Sequence, residues 1–102
     1  MDKLNAYPVP NSGVVGRVLN SPGADQLEAV IVLPASGKIE VLNDVGARIW
    51  SLVNGRRSVR EIATLLCAEY QVESALAEAD ALVFLEDLAG RGVITFLDTP
   101  GA

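Results

Sequence analysis

Histidine is absent from the 102 residues, and cysteine occurs once, at Cys67. Without histidine there is no Ser–His–Asp triad, no Cys–His pair and no use of the commonest zinc ligand. A single cysteine excludes an internal disulfide. No neighbouring residue would activate Cys67 as a nucleophile, so it reads as a small, buried or half-buried side chain of a helix. No run approaches the roughly 18 apolar residues that a membrane helix needs. Residues 1–7 lack the apolar core of a signal peptide, so a cytoplasmic chain with no membrane partner is expected. Basic side chains are in deficit, 8 against 13 acidic ones, for a formal charge of −5. That balance disfavours nucleic-acid and anionic-membrane partners. Half of the residues are apolar and about a fifth are charged, an ordinary globular composition. The length suits one domain with a modest core.

Proline is missing from residues 43–91, whereas four of the five prolines fall within residues 1–42. The first part reads as strands and turns, the second as helices. Residues 1–12 hold Pro8 and Pro10 with little periodicity and are expected to be an extended N-terminal tail. Strands are predicted at 14–19, 27–33 and 38–42, separated by Ser-Pro-Gly and Pro-Ala-Ser-Gly turns. In the third, Ile39 and Val41 point one way and Glu40 and Leu42 the other. Asn43 is a candidate N-cap for a helix carrying Val45, Ile49, Leu52 and Val53, which Asn54-Gly55 ends. Ser58-Val-Arg-Glu61 is a capping box that opens a second helix. Ser74 is a candidate cap for a third, running to about residue 89, and residues 93–97 suit a short final strand. The expected fold class is α+β and winged helix-turn-helix-like: a three-stranded antiparallel sheet followed by a three-helix bundle. The domain is placed at residues 13–97, with residues 98–102 as a C-terminal tail.

This architecture hosts several functions. A DNA-binding regulator would put the third helix in the major groove, where it needs Lys or Arg. Residues 73–87 instead carry Glu73, Glu78, Asp80, Glu86 and Asp87 and no basic side chain. Arg56, Arg57 and Arg60 form the alternative footprint, and a solvated surface cluster is the plainer reading of them. Autonomous catalysis has no visible constellation: no phosphate-cradling loop, no metal-ligand cluster and no paired carboxylates on one face. Trp50 reads as core. Asp80 suits either a surface charge or the wall of a groove.

The stretch Val41-Leu-Asn-Asp-Val-Gly-Ala-Arg-Ile-Trp50 resembles the signature of the PqqD-like family, after pyrroloquinoline quinone biosynthesis protein D. Asn54-Gly-Arg-Arg-Ser-Val-Arg-Glu-Ile62, Glu69-Tyr70 with Val72, and Asp80 with Phe84-Leu85, Leu88 and Arg91-Gly92-Val93 continue the likeness in the same order. It spans roughly residues 7 to 97, loosely in the upstream strands. The resemblance implies a non-catalytic domain that needs neither cofactor nor metal. Such a domain binds the leader segment of a ribosomally made precursor peptide and presents it to a modifying enzyme, in the founding pathway a radical S-adenosylmethionine protein. The leader adds as a strand to the third β-strand, here Lys38, Ile39, Glu40, Val41 and Leu42, and docks apolar side chains against the third helix. Lys38–Leu42 contains no proline, so every amide of that strand is able to donate. On the third helix, Leu88, Leu85 and Ala81 are assigned to the core and Leu76, Ala79 and Val83 to the groove, with Asp80 beside them. Periodicity alone leaves these two faces exchangeable. An exposed edge also admits a homodimer.

Overall fold

The computed structural model describes residues 3–19, 28–33 and 36–101. The elements run β1 (Tyr7–Pro10), β2 (Val15–Leu19), β3 (Glu28–Leu33), β4 (Lys38–Asn43), α1 (Val45–Leu52), α2 (Val59–Tyr70), α3 (Ser74–Gly90) and β5 (Ile94–Leu97). Strands β2, β3 and β4 form an antiparallel sheet in chain order, and β1 pairs with β5 in a second, two-stranded one. The three strands predicted from composition and turn signals are therefore β2 to β4. The Ser-Pro-Gly turn and the start of the Pro-Ala-Ser-Gly turn lie outside the described residues.

The sheet is two-faced because the side-chain period is two. Ala29, Ile31 and Leu33 of β3 are buried against the helices, while Val30 and Val32 face outward. Register carries this alternation across to β4. Leu42 and Glu40 stand opposite Ala29 and Ile31 on the helix side, and Val41 and Ile39 stand opposite Val30 and Val32 on the outer side. On β2, Gly16 faces Ile31 on the helix side. A Cβ built there would lie 2.4 Å from Nε1 of Trp50. The glycine thus makes room for the indole, which is a core side chain as its sequence context suggests.

Trp50, Ile49 and Leu52 of α1 join Val59, Ile62, Ala63 and Leu66 of α2 and Ala77, Ala81, Leu85 and Leu88 of α3 in one core. Cys67 is half-buried at its edge. The capping box at the start of α2 is complete: the Glu61 amide donates to Ser58 Oγ at 3.1 Å, and the Ser58 amide donates to Glu61 Oε1 at 2.9 Å. Ser58→Ala is expected to cost about 1 kcal/mol, seen as a lowered Tm with peptide affinity unchanged. A Tm equal to that of the parent would show the cap to be dispensable.

Three local expectations shift. The residue that caps α1 is Asp44, with φ of 52°, and Asn43 instead ends β4. The cause is β3, whose register continues to the Glu28–Asn43 pair and holds Asn43 in the sheet. Glu73, not Ser74, is the N-cap of α3, so Ser74 is the first helical residue. Residues 7–10, part of the expected tail, are extended but not loose: Tyr7 to Pro10 pair with Leu97 to Ile94. The carbonyls of Ala6 and Pro8 accept from the amides of Val59 and Gly55 at 3.0 and 2.8 Å, which ties the lead-in to the helices.

Candidate functional site

A strand at the end of a sheet carries a row of main-chain groups that no sheet neighbour uses. In the order β2-β3-β4, that position falls to β2 and β4. Of the two, β4 is tied to the end of α3. Arg91 at the end of α3 meets Glu40, and Phe84 meets Gly46 just after β4, so β4 and α3 run in opposite senses. At one end of the cleft between them, Arg91 Nη1 donates to Glu40 Oε1 at 2.8 Å, bridging the end of α3 to β4. Arg91 also pairs with Asp87 through Nε at 3.1 Å. The Glu40 hydrogen bond, with Asp87 nearby, raises the guanidinium pKa above its usual value. A recess of about 410 Å³ opens there between Leu33, Ser36, Lys38, Glu40, Gly90 and Arg91.

Midway, Phe84 lies over the first turn of α1. A methyl group at Gly46 would sit 3.2 Å from the Phe84 ring, so glycine lets the ring close over α1 beside Leu42. At the far end, α1, α2 and α3 converge on a pocket of about 100 Å³. Val45 and Ile49, Leu66 and Tyr70, Val72, and Ala77 and Asp80 line it. Arg48 of α1 grips Glu69 of α2 through Nε at 2.8 Å and Nη2, and that hydrogen bond lowers the Glu69 carboxyl pKa. Burial, followed by the charges of Asp44 and Glu69, pushes the Tyr70 phenol pKa up.

The structure distributes the nine sequence candidates as follows. Lys38, Glu40 and Leu42 face the helix side of β4. Ile39 and Val41, 65% and 58% exposed, project from the outer face and offer the cleft only their backbone. On α3, Ala77, Ala81, Leu85 and Leu88 are buried, and Leu76 and Val83 are 53% and 68% exposed. At about 100° per residue, Asp80 lies on the Phe84 side of the helix, Leu76 and Val83 at its rim, and Ala79 furthest round, about 140° from Phe84. Phe84, Gly46, Arg91, Tyr70 and Val72 were not selected as site residues. All five stand within the motifs quoted above, but a motif does not say which of its members line a cleft. The arginine cluster is divided among separate partners: Arg57 Nη1 donates to the Leu52 carbonyl at 3.1 Å, and Arg60 pairs with Glu78 at 3.2 Å. Among the described residues, no group of His, Cys, Asp or Glu has a metal-binding arrangement, and no helix is long and apolar enough to cross a membrane.

A three-stranded antiparallel sheet followed by three helices defines a small α+β domain. The family model described as coenzyme PQQ synthesis protein D (PqqD) matches residues 28–94, from β3 into β5. The chain belongs to the PqqD family. A "PqqA binding protein" of Bradyrhizobium diazoefficiens is 28% identical over 71 residues, 70% of this chain and 69% of that one. Two solved structures share the fold at 30% identity. One is TbiB1 in complex with the TbiA(beta) leader peptide, with a TM-score of 0.73 over 84% of this chain and 93% of the other. The second is the PqqD truncation of Methylobacterium extorquens PqqCD, described as a functional, stand-alone recognition element for ribosomally synthesised and modified peptides. Its TM-score is 0.66, over 86% and 87% of the two chains.

Proposed function

We propose that this protein is a non-catalytic peptide chaperone. It holds the leader of a ribosomally made precursor by strand addition to β4 and presents it to a separate modifying enzyme, such as a radical S-adenosylmethionine protein. The observation that carries the reading is the edge position of β4 in the described sheet, set beside the apolar and acidic flank of α3. Backbone pairing supplies affinity that does not depend on sequence, and side-chain pockets along α3 supply selectivity. The relatives support this reading, since one is named for binding PqqA and another was solved with a leader peptide. Without peptide, the same edge is where two copies would pair.

Val83 and Arg57 provide the test. Val83→Asp adds a charge to the rim of the cleft and is expected to weaken peptide binding about tenfold, the scale of one lost apolar contact plus an unpaired charge. Arg57→Ala is expected to leave affinity within twofold, as charges outside an interface contribute little. Calorimetry on both variants reads the order directly. The reverse order would move the site to the arginine turn.

A further inference from the structure

The pocket where α1, α2 and α3 meet is not accounted for by strand addition alone, because it lies past the end of β4. Its walls are apolar, with Val45, Ile49, Leu66 and Val72 prominent, and one side carries the Tyr70 ring. At about 100 Å³ it is well below the roughly 300–1,000 Å³ of a small-molecule site. It therefore suits a single side chain. Its polar chemistry has one sign. Asp80 is an exposed carboxylate of the lining. Asp44 directly precedes Val45, and its charge is felt at Tyr70. Arg48, whose charge is also felt at Tyr70, is committed to Glu69 by its two-pronged contact. Among the described residues, neither Asp44 nor Asp80 makes an ion pair.

We propose that this pocket selects one lysine or arginine of the bound peptide, its methylene stem among Val45, Ile49 and Val72 and its cationic head between Asp80 and Asp44. The inference rests on the peptide-binding reading and adds a residue type to it. A peptide strand that continued from β4 toward α1 would pass these carboxylates and take water from them. An apolar side chain there would leave two desolvated anions unpaired, which is costly, whereas a cation offsets that cost. Long basic side chains divide in the required way, with an apolar stem and a polar tip. The face of Tyr70 adds attraction for a cation. The placement also gives a use to Tyr70, Val72 and Asp80, which recur in the sequence motifs and are not needed by the core.

The experiment is a selection from a displayed library of random linear peptides on the parent protein and on Asp44→Asn/Asp80→Asn. The inference expects parent-selected peptides to share a Lys or Arg at one fixed position, and the variant to lose that preference while keeping the apolar positions. In a synthetic peptide from the parent pool, replacing that residue by norleucine should weaken binding about fivefold, and by less than twofold on the variant. Enriched peptides that pair with β4 but share no basic position would overturn the inference and leave strand addition standing. Equal affinity of the lysine and norleucine peptides for the parent would do the same. A library that yields no peptide bound at β4 would overturn both.

Discussion

Proline placed along β4 is expected to separate binding from folding. Amide directions alternate along a strand, so Ile39 and Val41 form one set and Glu40 and Leu42 the other. One set donates to β3, and the other points to where an added strand would lie. Proline in the inward set removes a ladder hydrogen bond and is expected to lower Tm. Proline in the outward set is tolerated by an edge strand, but it takes away a donor and sets a ring against the incoming backbone. The loss combines about 1 kcal/mol for the hydrogen bond with the steric term, so peptide affinity should fall at least about tenfold with Tm nearly unchanged. Calorimetric titration and thermal melts on Ile39→Pro and Glu40→Pro give the two readouts. If the variant that keeps its Tm also keeps its affinity, the peptide does not pair with this edge.

Gly16→Ala is expected to destabilise the fold by about 1–3 kcal/mol, the usual cost of overpacking. The added methyl would meet Trp50 Nε1 at 2.4 Å and Cζ2 at 2.5 Å. The indole belongs to the buried core, so relieving the clash means displacing it or β2. At roughly 4–8 °C per kcal/mol for a domain of this size, the melt should shift clearly. A second change, Trp50→Phe, shortens the ring and should recover part of the loss when combined with Gly16→Ala. An unaltered melting temperature for Gly16→Ala alone would mean that β2 is not packed on α1 in the way described.

That contact also shows where sequence reasoning stops. Gly16 sits in a run of β-branched residues and carries no local sign of its partner 34 positions later. The strands and helices were legible because their signals are local: β-branched runs between Pro and Gly turns, a capping box at Ser58 and Glu61, and apolar residues at helical spacing. Periodicity groups Ala81, Leu85 and Leu88 on one face of α3 but leaves that face exchangeable with the other; the structure buries all three. The pairing of β1 with β5 was not legible, since it joins Tyr7 to Leu97 across nearly the whole chain. Alternation placed Ile39 and Val41 on one face of β4, but not which face. That is decided by the Val32 and Val30 register with β3. The resemblance names two elements for the groove, β4 and α3. Its detailed lining was not legible, because Phe84, Arg91 and Tyr70 reach it through the packing angle of three helices.

Acidic charge on α3 fits the peptide reading better than a nucleic-acid one. Glu78 and Glu86 are paired with Arg60 and Lys3, and Asp87 with Arg91. The pairs neutralise charge toward the neighbouring elements, and no basic side chain of α3 is left to meet phosphate.

The most direct measurement is an NMR titration of the folded protein with the short peptides encoded beside its gene. The account predicts submicromolar binding of one of them, with the largest amide shifts along Lys38–Asn43 and the Asp80–Phe84–Asp87 side of α3. Intermolecular contacts should run strand to strand along β4. Tight binding with shifts confined to Arg56, Arg57 and Arg60, and β4 undisturbed, would contradict it.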